Sequence, residues 1–163
     1  MNESSQFDGG ESNRFAVVVP VDLEADVRVI DWPGAEALST LYREIGCRAV
    51  DILSVGDLAF WVDDEGVTVA DWAANGRATW LACAVNGMGL LVAGTVVVTL
   101  AAPHKEGDTQ GLAREVAERL AAAARAVPAH DPEELTAGLR EVVDRGSLVM
   151  TLDENGVPDG FVV

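Results

Sequence analysis

Apolar residues along this chain fall into short β-branched runs and into stripes at helical spacing. Phe15 to Val21 is β-branched and predicts a strand. Pro20 has no N–H for a ladder, so this strand ends there or lies at an edge. Asp26 to Asp31 alternates polar and apolar residues and predicts its hairpin partner. Pro33 suits the first turn of a helix. Leu38, Leu41, Tyr42 and Ile45 follow at i, i+3, i+4 and i+7, one helical face, and Gly46 closes the helix.

Ala49 to Val55 and Ala59 to Val62 predict two further strands around Gly56-Asp57, with a turn at Asp63 to Gly66 and Val67 and Val69 continuing the pairing. Asn75 is a good N-cap for a helix through Thr79, Leu81 and Ala84, ended by Gly87 and Gly89. Leu90 to Leu100 is a nearly continuous apolar run, consistent with a central strand buried on both faces. From Pro103 the character changes. A polar linker from His104 to Gln110 leads into a helix with Leu112, Val116, Leu120, Ala123 and Val127 on one face. Its outer face carries Glu115 with Arg119 and Arg114 with Glu118 at i,i+4 spacing. Pro128 stops it. Asp131-Pro132-Glu133-Glu134 opens a second helix with Leu135, Leu139, Val142 and Val143 inward, so the two should form an antiparallel hairpin. Leu148 to Leu152 and Phe161 to Val163 predict a final β-hairpin around Asn155-Gly156.

These elements define an α+β fold: a mixed or mostly antiparallel sheet packed by two helices, with a C-terminal helical hairpin and a terminal β-hairpin. Three regions are expected: a disordered acidic tail at 1–13, an α+β core at 14–102, and the C-terminal hairpins at 103–163 packed on that core. A chain of 163 residues buries roughly 70% of its unfolded surface and needs no staple to fold.

Charge changes the picture most. A net charge of −16 argues against binding nucleic acid or an anionic membrane, because phosphate neutralisation needs Lys and Arg. It fits a solvated, soluble surface, and it also fits mimicry of a polyanion. No run reaches the ~20 apolar residues of a membrane span, and Met1 to Asn13 has no signal-peptide pattern, so the expected location is the cytoplasm. Cys47 and Cys83 stand apart and are expected to be reduced.

Several motifs invite chemistry. Asp63-Asp64-Glu65 is too short for a hard cation, which takes about six to eight oxygen ligands from a longer loop, and reads as a solvated turn. With two Cys and two His scattered singly, no zinc pattern exists. A dyad of Cys47 or Cys83 with His104 or His130 stays open, since adjacency in space is not visible in sequence. Gly87-Met88-Gly89 with Gly94 fails the spacing of a phosphate loop. Trp61, Trp72 and Trp80 fall close together with Asp63, Asn75 and Arg77. They form the candidate ligand site, aromatic walls with a few polar groups, set against the reading of each Trp as a core residue.

The segments Leu41 to Arg48 with Val50-Asp51, Trp61 to Gly66, Asn75 to Thr79, and Gly94 to Val97 occur in an order that resembles the domain of unknown function 3846. The resemblance covers roughly residues 15–100. This chain has Asn75-Gly76 where that family often has Asn-Pro. The resemblance implies an accessory gene of actinobacteria, their phages or plasmids, and implies no chemistry. The leading expectation is a non-enzymatic binding or interaction protein with a protein partner and no cofactor. An acidic decoy for a DNA-binding enzyme and a small-molecule binder using the tryptophan region are the alternatives.

Overall fold

A computed structural model describes residues 14–65, 73–86, 91–101 and 110–128, and the strands at 149–152 and 158–162. The expected tail at 1–13, the linker from His104, the helix from Asp131 to Gly146, Val67 and Val69, and Gly87 to Gly89 lie outside the described residues.

Strands β1 (Phe15–Val19), β2 (Arg28–Asp31), β3 (Val50–Val55), β4 (Leu58–Asp63) and β5 (Val96–Leu100) form one sheet in the order β2-β1-β5-β4-β3. Every neighbouring pair in it is antiparallel. Helix α1 (Ala37–Ile45) follows a single 3-10 turn at Gly34–Glu36 and carries the chain from β2 at one edge to β3 at the other. Helix α2 (Gly76–Asn86) links β4 to β5, and α3 (Arg114–Ala126) follows β5. The class is α+β. Strands β6 (Val149–Leu152) and β7 (Pro158–Val162) form a separate antiparallel pair, the expected terminal hairpin. No described helix is long and apolar enough to cross a membrane.

Period-2 alternation in the three inner strands gives the sheet two apolar faces. On one face Val17, Val19, Phe60, Val62, Val96 and Val98 meet α2 through Ala78, Leu81 and Ala82 and α3 through Ala117, Ala121 and Ala124. On the other, Ala16, Val18, Ala59, Trp61 and Val97 meet α1 through Ala37 and Leu41. The register agrees: Val18 lies opposite Val97, and Trp61 lies opposite Val97 from the other side. α3 therefore belongs to the core that contains the sheet.

Three expected patterns shift. In α1, Leu38 and Tyr42 are 55% and 37% exposed, while Ala37, Thr40 and Leu41 are buried. The helix is rotated so that Glu44 lies beside Arg28 of β2, Nη2 to Oε2 2.6 Å, and small Ala37 and Thr40 allow a close approach to the sheet. In α3 the buried face is Ala117, Ala121 and Ala124, and Val116 is exposed. An alanine face brings the helix backbone near β1 and turns the larger residues into a flank. Leu112 is buried ahead of the helix, exchanging backbone hydrogen bonds with Phe15. The expected central strand is shorter than its apolar run, because Gly94 at φ 72° turns the chain before Val96. Gly46 does close α1 in the left-handed region, at φ 77°, its N–H donating to the Tyr42 carbonyl.

Candidate functional site

Asn75 sits immediately before α2 and is 1% exposed. Its Oδ1 accepts the N–H of Ala78 at 3.0 Å, the expected N-cap. Its Nδ2 donates to the carbonyls of Val19, at the end of β1, and of Gly94, just before β5, both at 2.9 Å. Its backbone N–H donates to Val92, and Gly94 N–H donates back to Ala73. One side chain thus joins the start of α2, the end of β1 and the approach to β5.

Its neighbours extend the same joint. Arg77 donates to the Leu23 and Ala25 carbonyls at 2.9 and 3.0 Å, clamping the loop between β1 and β2. The Thr79 hydroxyl accepts the N–H of Val92 at 3.0 Å. Asn75 to Thr79, singled out as part of a possible ligand site, directs its polar groups at backbone. Carbonyls that leave a ladder inside a protein need donors, and this segment supplies them.

Trp61 is buried on the α1 face, where its Nε1 donates to the Thr99 hydroxyl at 2.9 Å. Trp80 is 57% exposed on α2, which packs on the opposite face of the sheet. The sheet separates these two rings, so they do not wall one pocket. Asp63 ends β4, and its Oδ1 accepts the Glu65 N–H at 3.1 Å, a local turn bond. Trp72 lies outside the described residues. Cys47 and Cys83 are free thiols. Burial, with the Asp63 charge adding to it, pushes the Cys47 thiol up from its ordinary value. Partial burial pushes the Glu44 carboxyl up, but the hydrogen bonds and charges of Arg28 and Arg43 outweigh it and hold Glu44 below the ordinary value. Among the described residues no group of three or more His, Cys, Asp or Glu is placed to hold a metal ion.

Two of the open clefts among the described residues lie elsewhere. One, of about 640 Å³, is lined by Arg14, Phe15, Asp31, Trp32, Pro33 and Arg114. Its Arg114 guanidinium lies 4.2 Å from the centroid of the Phe15 ring, a cation–π contact. The other, of about 720 Å³, runs along β2 beside Glu118 and Arg125, and Arg125 donates to the Val27 carbonyl at 2.6 Å. Sequence reasoning passed over the first cleft because its residues come from three distant segments. The signal on hand was Trp32, the tryptophan outside the Trp61–Trp80 cluster, with Arg14-Phe15.

Fold and joint define a small α+β protein in which Asn75, Arg77 and Thr79 tie the start of α2 to the sheet and its loops. The chain belongs to the family described as a domain of unknown function, DUF3846, whose model matches residues 14–125. That span runs past the resemblance at 15–100 to take in α3, in keeping with its place in the core. Comparison with curated proteins and with solved structures found no match.

Proposed function

We propose that this is a non-enzymatic interaction protein that meets a protein partner through the outer face of α2, centred on Trp80. The observation that carries the reading is the exposure of Trp80. It points away from the face formed by Ala78, Leu81 and Ala82, and Ala84, one turn on, is exposed beside it. A large aromatic ring set on a rigid helix is the residue type that most often dominates binding energy at protein interfaces. The surrounding Asn75, Arg77 and Thr79 direct polar groups at backbone, which holds that helix in place. The test is affinity capture from the native cell with the wild type and with Trp80→Ala. A partner retained by the wild type and lost by the variant, at unchanged thermal stability, supports the reading; equal capture by both sinks it.

A second reading, binding of a small anionic molecule, draws on the cleft at Arg14 and Arg114 rather than on the tryptophans first considered. Titration with phenyl phosphate, followed by NMR, tests it: shifts confined to Phe15, Trp32 and Arg114 support it, and no saturable shift removes it.

A further inference from the structure

We infer that Asn75-Gly76 is a deamidation site that the folded joint holds shut, and that its reaction in an opened chain bars refolding. The inference stands independently of Trp80. The chain holds the pair Asn-Gly at 75–76, 86–87 and 155–156. In such a pair no Cβ hinders the approach of the glycine nitrogen to the Asn side chain. The deprotonated Gly76 nitrogen attacks Asn75 Cγ, its proton having passed to water or hydroxide. The N–Cγ bond forms, the Cγ–Nδ2 bond breaks, and the side-chain nitrogen leaves as ammonia. The product is a five-membered succinimide. Water opens the ring at either carbonyl, giving an aspartate or an isoaspartate at position 75.

The fold opposes this reaction at several points. The leaving nitrogen, Nδ2, is clamped to the Val19 and Gly94 carbonyls, both at 2.9 Å. Oδ1 is fixed by the Ala78 N–H at 3.0 Å, so Cγ cannot swing onto the Gly76 nitrogen while these bonds last. On the main chain, the Asn75 N–H donates to Val92 at 2.8 Å and its carbonyl accepts the Thr79 N–H at 2.9 Å. These two bonds oppose the backbone rotation that ring closure needs. At 1% exposure the residue is also shielded from the water that would open the ring.

The same contacts make the reaction one-way in its effect. The aspartate product sets a carboxylate oxygen against the two carbonyls that Nδ2 had served, and it brings a charge into a buried place. In the isoaspartate product the main chain runs through Cβ and Cγ and is one atom longer. That displaces the carbonyl bonded to Thr79, where α2 begins. A chain that reacts while open therefore returns without the donor that joins α2 to the end of β1 and the approach to β5.

Trypsin cuts after Arg77, Lys105 and Arg145, which puts the three Asn-Gly pairs on separate peptides for mass spectrometry. The full chain is aged in mildly alkaline buffer with and without urea. In urea Asn75 should deamidate alongside Asn86 and Asn155. In native protein it should react ~100-fold more slowly or less, because three side-chain hydrogen bonds must open first. After dilution from urea, the fraction that refolds, read by tryptophan fluorescence, should fall as Asn75 is consumed. The refolded fraction should carry intact Asn75. Gly76→Pro removes the attacking nitrogen's proton at a first helical position that accepts proline, so its refolding should survive ageing. Gly76→Ala, whose Cβ crowds the attack, should slow the loss and serves if the proline variant does not fold. Three results overturn the inference: Asn75 reacting as fast in native protein as in urea, Asn75 staying intact in urea while Asn86 and Asn155 react, or deamidated chains refolding as well as intact ones. None of them bears on the Trp80 face.

Discussion

Replacing Asn75 tests whether the joint at the start of α2 is structural. In Asn75→Ala the N-cap bond is lost, at a cost of about 1 kcal/mol. The Val19 and Gly94 carbonyls lose the donor they share, each loss costing about 1–3 kcal/mol where the group stays buried and unpaired. The sum is about 3–7 kcal/mol, a large part of the ~5–15 kcal/mol that holds a domain of this kind together. Asn75→Asp is the sharper probe. It keeps the oxygen that caps Ala78 and replaces the donating amide with a buried oxygen facing two carbonyl oxygens. Burial and those dipoles raise the folded-state pKa of the new carboxyl above its unfolded value. Its contribution is then most favourable below the unfolded pKa and is lost as pH rises through the folded one. The penalty of Asn75→Asp should therefore grow between pH 4 and pH 7, while that of Asn75→Ala stays level. Urea unfolding followed by tryptophan fluorescence at several pH values measures both. Penalties under about 1 kcal/mol for both variants, or an Asp variant with no added pH dependence, would refute the assignment and return Asn75 to the list of ligand-binding candidates.

Other consequences can be checked alongside. Arg77→Ala removes two donors to the β1–β2 loop and should destabilise the protein by about 1.5–3 kcal/mol, with faster amide exchange concentrated around Leu23 to Ala25. Glu44, held below the ordinary carboxylate value, adds stability that is present above its unfolded pKa and lost as pH falls through the lower folded one. Glu44→Gln should accordingly cost up to about 1 kcal/mol at neutral pH, Arg28 being half exposed, and nothing in strong acid, as read from paired melts. Cys47, pushed up by burial and by Asp63, should react with a maleimide more slowly in the folded protein than in urea, and Asp63→Asn should speed the folded reaction. Trp61→Phe keeps the buried ring but drops the bond to Thr99, with an expected loss of about 1–2 kcal/mol and a change in fluorescence.

Much of the local structure was legible in sequence because it depends on neighbours. The β3–β4 hairpin around Gly56-Asp57, the cap at Asn75, the left-handed Gly46, and the pairing of Glu115 with Arg119 at 2.6 Å are all set within a few residues of chain. The outward faces of the helices were harder to read. Periodicity weighs Leu38 and Tyr42 as heavily as Leu41, yet rotation depends on what lies opposite, and the Arg28–Glu44 pair joins elements that a sequence pattern treats separately. In α3 the same bias favoured Val116 over Ala117, although close contact between a helix and a strand selects the smaller side chain.

The candidate site divides along the same line. Clustering in sequence suggested that Trp61 and Trp80 share a pocket. β4 ends at Asp63 and α2 starts at Gly76, however, and the sheet lies between the two rings, so proximity along the chain became separation in space. The converse holds for Asn75, whose cap was readable but whose bonds to Val19 and Gly94 span 56 and 19 residues. The amino-acid sequence by itself determined the strands, the helix ends, the turns and the acidic charge, since each follows from spacing, backbone preference or composition. Only the tertiary structure decided the strand order β2-β1-β5-β4-β3, the opposite placement of Trp61 and Trp80, and the exposed edge at Ile52. Those depend on which long-range contacts satisfy the buried carbonyls and apolar faces together.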